Sequence, residues 1–353
     1  MSQEFLINKL PSPTWRWLKL NGSNVKLEDI DTVGAFTLEL PKEVSCQTEK
    51  VSPYAEEKTA LGEGFDRYIQ SSGVEVSVLS VPEGTKTKQP AKFIFSYSGA
   101  QSAANQIAIT VEKNAELMVI MDFVGGDIDG LGAVSTKYHV AEGGKLTVVQ
   151  IQNVSKQMEF YNDLGGTCEE KGEFKLVQLV LNAKKSYVGN RTALVGKASD
   201  ATMHIGYYAE NEELIDMNYI TYHTGLKTTC DINASGVLRD KAQKNFRGTI
   251  DFQRGTIGSV GSENEEVLLM DDGVINKSIP IILCQEEDVE GTHGASIGKL
   301  DDATIFYMQS RGLSPETIYE IMAKARIRAI INQITHEETR DRLIKEFVGE
   351  EED

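Results

Sequence analysis

Apolar and polar residues alternate through the middle of the chain. Val74-Glu75-Val76-Ser77-Val78, Lys92-Phe93-Ile94-Phe95-Ser96-Tyr97 and Gln106-Ile107-Ala108-Ile109-Thr110-Val111 are period-two runs rich in β-branched and aromatic residues. That pattern predicts strands with one face turned inward. From Gly73 to Leu283 no helical period interrupts it. A loose repeat underlies the region. Polar turns with small residues close on Leu117, Leu146, Phe174 and Met203, spaced 29, 28 and 29 apart, and on Cys230 after 27 more. Apolar-rich strands such as Leu146-Thr147-Val148-Val149-Gln150-Ile151 follow these turns. A period of this size fits two strands of about ten residues and two turns. One such coil cannot bury its inner face, whereas stacked coils bury a continuous core. The prediction is a mainly β chain, a right-handed parallel β-helix with two long strands per turn, over residues 73–298. A β-sandwich needs turns about every 8–12 residues and matches the beat less well. The ends of such a helix expose unpaired backbone groups, and a partner's strand is a ready cap.

Residues 1–72 read as an N-terminal segment and linker. Trp15 and Trp17, after the Pro-rich opening at Leu10-Pro11-Ser12-Pro13, fall on one side of an extended chain and are expected to cover the end of a core. Glu56 to Tyr68, polar and with Gly62 and Gly64, reads as a linker or a mobile segment. Residues 299–353 turn helical. Asp301 or Asp302 is the expected N-cap of a first helix, closed at Arg311-Gly312. Ser314-Pro315 opens a second helix, with Ile318, Ile321, Met322, Ala325 and Ala329 on one face. Ile327, Ile330, Ile331 and Ile334 widen its apolar band, so part of it should face another helix or a partner. Thr335-x-x-Glu338 is the expected capping box of a last helix carrying Leu343, Ile344 and Phe347. The run Gly349-Glu350-Glu351-Glu352-Asp353 is expected to be a solvated tail.

The formal net charge of −17 opposes nucleic-acid binding, because a phosphate backbone would be repelled. No apolar run reaches the roughly 18 residues of a membrane span, and no basic-then-apolar leader is visible at the start. Cys46, Cys168, Cys230 and Cys284 are far apart, which argues for reduced thiols, a cytoplasmic setting and no paired-spacing metal site. The chain carries no P-loop, G-x-S-x-G or H-E-x-x-H motif. Gly125-Gly126-Asp127-Ile128-Asp129-Gly130 lacks the ligands of a calcium loop and reads as a turn. His293, between Gly291 and Gly294 in a polar stretch, is the candidate metal ligand, expected in a turn. Cys284 is the nearest thiol, expected to be buried in Ile281-Ile282-Leu283-Cys284.

The stretch Thr292-His293-Gly294-Ala295-Ser296, followed by Leu300-Asp301 and Phe306-Tyr307-Met308-Gln309-Ser310-Arg311-Gly312, resembles the C-terminal signature of the SufB/SufD family of iron–sulfur cluster assembly scaffolds, most like its SufD side. Phe246-Arg247-Gly248-Thr249-Ile250 and the N-terminal Leu10-Pro11…Trp15 segment are similar to family segments too. The resemblance implies a non-catalytic scaffold that pairs with a SufB-like subunit through its β-helix, or with a second copy of itself when alone. Its helical tail would dock a SufC-like ATPase, with Arg311, Ile327, Ile330 and Ile331 as contacts. His293 and Cys284 would lie near a transiently held iron–sulfur cluster at the subunit interface. One departure stands out: many relatives carry a cysteine two residues before this histidine, where the chain has Gly291. A β-helical carbohydrate-active enzyme and a purely structural β-helix are the alternatives. The absent leader, the acidic charge and the lack of a carboxylate or basic cluster at coil spacing oppose the first.

Overall fold

The structure, a computed structural model, describes residues 2–14, 16–30, 32–97 and 102–349. A short hairpin opens the chain, β1 (Gln3–Ile7) against β2 (Ser23–Leu27), with a 3₁₀ turn at Arg16–Leu18 between them. Then come β3 (Thr32–Val33), β4 (Ala35–Glu39), β5 (Ser45–Glu49) and helix α1 (Glu63–Ser71). Sixteen strands follow: β6 (Val76–Val81), β7 (Ala91–Tyr97), β8 (Ser102–Val111), β9 (Glu116–Gly125), β10 (Gly130–Val140), β11 (Lys145–Asn153), β12 (Met158–Cys168) and β13 (Glu173–Asn182). The second half of the run is β14 (Lys185–Leu194), β15 (Asp200–Ala209), β16 (Leu214–His223), β17 (Thr229–Leu238), β18 (Gln243–Phe252), β19 (Ser259–Leu269), β20 (Ile275–Cys284) and β21 (Val289–Gly298). Helices α2 (Asp302–Ser310), α3 (Pro315–Ile331) and α4 (Glu337–Leu343) close the chain, with a π-helical turn at Ile344–Val348.

Among the described residues, even-numbered strands from β6 to β20 form one sheet and odd-numbered strands from β7 to β21 the other, all parallel within this range. Each coil contributes one strand to each sheet, which makes a parallel β-solenoid of eight coils. The inner faces close on one core running the length of the stack. The predicted repeat holds with one correction. Leu117, Leu146, Phe174, Ala201 and Cys230 stack in register, whereas Met203 lies two residues further along and stacks on Leu176. Both residues point inward, so a spacing count cannot choose between them. Seven of the eight coils also turn one corner through a residue with positive φ: Gly84, Asn114, Gly143, Lys171, Ala198, Lys227 and Gly258. The N–H of each donates to a carbonyl of the next coil, as from Ala198 to Leu226 at 2.8 Å and from Lys227 to Ile257 at 3.0 Å. The ladder therefore continues around the corner.

The two ends differ. At the first, the chain folds back, and β4 and β5 pair antiparallel with β7 and β6. Rings of Phe36, Phe93, Phe95 and Phe123 stack beneath them at centroid distances of 5.1–5.6 Å. At the other end, β20 and β21 are the outermost strands of their sheets.

The N-terminal segment lies on the outer face of the even-numbered sheet. The stretch Glu56 to Tyr68 is more than a linker: it runs into α1, which buries Phe65, Tyr68 and Ile69 against Tyr161 and Ala133. Gly62 at φ 94° caps the helix, and a Cβ at Gly64 would meet Phe5 at 3.0 Å. The two glycines that read as a linker are thus a helix start and a close approach. Trp17 sits in the 3₁₀ turn and is 73% exposed rather than covering a core. Trp15 and residues 350–353 lie outside the described residues.

The C-terminal helices dock on the outer face of the odd-numbered sheet. Asp301 and Ser314 are the N-caps of α2 and α3. The last cap is His336, one residue beyond the expected Thr335, and its Nδ1 accepts from Thr339 N. The buried face of α3 is Ile318, Ala323, Ile327, Ile330 and Ile331, not the expected Ile321 row; Ile321 is exposed. α3 packs on the outer faces of β13, β15 and β17: Ile327, Ile330 and Ile331 join Val177 and Leu179, Ala323 joins Val237 and Leu268, and this longer apolar contact outweighs the row counted from Ile318. No helix of the described residues is long and apolar enough to cross a membrane.

Candidate functional site

Side-chain direction at the open end follows from its glycines. A Cβ on Gly291 would meet Ile282 at 3.1 Å and Phe252 at 3.2 Å, and one on Gly261 would meet Ile250 and Cys230. Both positions face into the coil. Alternation then turns Glu263 and Glu265 on β19, and His293 and Ala295 on β21, inward as well. Glu263 and His293 are register partners. Across the coil, Lys244 and Phe246 on β18 face inward, and Asn276 and Ser278 of β20 stack on them.

Beneath the mouth lies a buried charged group. Lys244 and Glu265 form an ion pair with side chains 0% and 1% exposed. Lys244 also donates to Ser278 Oγ at 3.1 Å, and Tyr207 OH donates to Glu265 Oε1 at 3.1 Å. The ammonium stands 5.6 Å and 5.4 Å from the ring centroids of Tyr207 and Phe246. Glu263 is 2% exposed, and neither its Oε2 nor that of Glu265 has a hydrogen-bond partner. Burial, then the Glu265 charge, pushes the Glu263 carboxyl up to about 7, with Lys244 opposing. Two carboxylates share one ammonium here, so this group takes up a proton near neutrality.

His293 is exposed in the middle of β21, not in a turn. The flanking glycines permit close packing instead: Gly291 over Ile282 and Phe252, and Gly294 beside Asn264 Oδ1 at 3.1 Å. Cys284 is exposed, not buried. It ends an edge strand, in register over Phe252, and its thiol donates to Glu286 O at 2.8 Å. Cys284 and His293 thus share the inner face of the last coil, from facing strands. Among the described residues no three His, Cys, Asp or Glu side chains converge so as to hold a metal ion.

Cys230, two coils in, meets His223 Nε2 at 3.2 Å, and His223 Nδ1 meets Thr228 Oγ1 at 2.7 Å. Burial pushes this thiol up to about 12 and the imidazole down to about 4. Both stay neutral, so the pair packs rather than reacts.

The docking isoleucines need correction. Ile327, Ile330 and Ile331 are buried on the chain's own sheet, and Gly206 makes room for Ile330, whose Cβ would lie 3.2 Å from an added Cβ. The broad apolar band is used internally. What remains outside is α2, which buries none of its residues. Phe306 is 73%, Tyr307 59% and Ile321 42% exposed. Arg311 donates to Tyr307 OH at 3.3 Å and lies against its ring.

Sequence reasoning missed the Lys244–Glu263–Glu265 group. The signal was present, since Gly261, Glu263, Glu265 and Val267 alternate within the predicted β-helix and fall on one face of β19.

The family model described as "SUF system FeS cluster assembly, SufBD core domain" matches residues 93–326. The iron–sulfur cluster assembly protein SufD of Bacillus subtilis is 19% identical over 75% of this chain and 62% of its own length. A SufBD family protein of Pyrococcus horikoshii is 25% identical over 72% of this chain and 58% of its own. SufB of Bacillus subtilis is 21% identical over 84% of this chain and 63% of its own. The chain therefore spans less than two thirds of the length of these relatives.

Proposed function

The chain belongs to the SufBD family of SUF-system iron–sulfur cluster assembly proteins, and we propose that it acts there as a non-catalytic, SufD-like scaffold subunit in the cytoplasm. It pairs end-on with a SufB-like solenoid. The observation that carries this reading is the open end itself: two ten-residue edge strands, β20 and β21, with His293 in register above a buried carboxylate. Unpaired strand edges recruit strands. A second copy of the chain would occupy the same edges when the partner is missing.

The iron–sulfur cluster is cargo in this reading, held transiently between subunits and not a resident cofactor. His293 offers an imidazole and Cys284 a thiol, both exposed on the inner face of the last coil. Among the described residues the chain's own groups make no complete ligand set, so the partner supplies the rest. The helical module docks the SufC-like ATPase through Phe306, Tyr307, Ile321 and Arg311, which take the place of the three buried isoleucines. A SufD role is preferred to a SufB role because Gly291 stands where many relatives carry a cysteine.

Anaerobic co-purification with the proteins of the source organism, followed by an optical spectrum, tests the reading. A P-loop ATPase and a second β-solenoid in a brown complex support it. A lone, colourless chain overturns it in favour of the purely structural alternative.

A further inference from the structure

The N-terminal segment reaches the open end. Leu10 and Leu20 are buried together with Ile279 of β20, and Leu18 and Ile281 pack on the same cluster. The segment is fixed there from below. Arg247 Nε donates to Leu20 O at 2.8 Å, Asn8 Nδ2 to Asp216 Oδ1 at 2.6 Å and Ser23 Oγ to Asp216 Oδ2 at 2.6 Å. Trp17, beside Leu18, is 73% exposed. A strand hydrogen-bonded to the free edge of β20 would lie about 4.8 Å beyond it. Its outward side chains would then stand next to Ile279 and Ile281, alongside the 16–20 turn.

We propose that the N-terminal segment is the outer lip of the end-on interface, with Trp17 as its anchor. The partner it fits is the terminal strand of another solenoid, bonded to β20 and carrying an apolar side chain on its outer face at the register of Ile279 and Ile281. Tryptophan suits the role: it has a large apolar area, few rotatable bonds and a ring N–H for the polar rim. The contact also explains why Asn8 and Leu20 are tied down by buried bonds to Asp216 of β16 and Arg247 of β18 rather than left as a loose arm. The inference rests on the end-on reading above, and the test separates the two.

The experiment measures the Kd between the full chain and the β-solenoid partner recovered by co-purification, for wild type and for Trp17→Ala, Trp17→Phe and Ala295→Arg. Ala295 is exposed on the inner face of β21, so arginine there obstructs the mouth without touching the N-terminal segment. Thermal unfolding checks that each variant is folded. The expected result is no pairing by Ala295→Arg, a Kd raised at least ~10-fold by Trp17→Ala, the scale of an interface hot spot, and an intermediate value for Trp17→Phe. Loss of pairing by Ala295→Arg with a wild-type Kd for Trp17→Ala would overturn the lip and leave the end-on reading standing. Undiminished pairing by Ala295→Arg, or recovery of no β-solenoid partner, would overturn both.

Discussion

Arg247 Nη1 and Asp216 Oδ1 lie 2.5 Å apart with both side chains fully buried. The pair is on the outer face of its sheet, under the N-terminal segment, because Lys244 and Phe246 take the inward positions of the same strand. Asn8, Ser23 and Asn245 complete the shell around Asp216. Removing one partner strands a buried charge. Arg247→Met is expected to lower stability by about 3–5 kcal/mol, read by urea unfolding. The double variant Arg247→Met, Asp216→Asn should recover part of that loss, since no unpaired charge remains.

Glu263 sets a pH dependence. Its folded-state carboxyl is raised to about 7 from an ordinary glutamate value of about 4.3. Between those limits the native state binds more protons than the unfolded chain, so stability falls as pH rises through the window. The full difference is on the order of 3 kcal/mol. Glu263→Gln should flatten the slope of unfolding free energy between about pH 4.5 and 7 relative to wild type. An unchanged slope would place the proton elsewhere.

The left-handed corners can be tuned. Ala198 holds φ 57°, which costs an L-residue about 1–2 kcal/mol, more than the entropy glycine would add. Ala198→Gly should raise the Tm by a gain of about 0.5–1 kcal/mol. Gly143→Ala should do the reverse by about 1 kcal/mol or more, because its new Cβ would lie 2.5 Å from Asn114 Oδ1.

Two apolar surfaces of the helical module have opposite roles. Ile331 is fully buried; Ile331→Asp should release the module and speed amide exchange over residues 315–348. Phe306→Ser changes a residue 73% exposed, so stability should stay within about 0.5 kcal/mol while the ATPase no longer co-purifies. Retained ATPase binding would remove α2 from the docking surface.

His293→Ala should leave the unfolding curve unchanged, as its side chain is exposed, and lower the yield of cluster in the reconstituted complex, read by absorbance. An unchanged yield would reduce His293 to a surface residue of β21.

Much of the fold was legible because coil stacking repeats a simple demand. Each turn needs small polar residues and each strand an inward apolar row, so the 28-residue beat, the coils and the caps at Asp301 and Ser314 all show in the sequence. Covering interactions were not legible. Arg247 looks like a solvated residue until the N-terminal segment is laid over it, and Ile327, Ile330 and Ile331 look surplus until they meet Val149 and Leu179. Cys284 has an apolar strand around it, yet its burial depends on whether another coil follows. For His293 the sequence correctly marks two glycines but cannot say whether they bend the chain or admit a close neighbour.

The difference between the two ends of the solenoid bears on assembly size. At one end, five-residue antiparallel strands and a stack of phenylalanines blunt the sheets; at the other, two long edges are bare. Head-to-tail addition, which would propagate into a fibre, meets the blunted end and stops. The proposed tail-to-tail contact would instead consume both long edges in a single step. Under the end-on pairing proposed above, the architecture would be self-limiting: association would terminate at two subunits, and a core with amyloid-like strand spacing would stay a discrete particle.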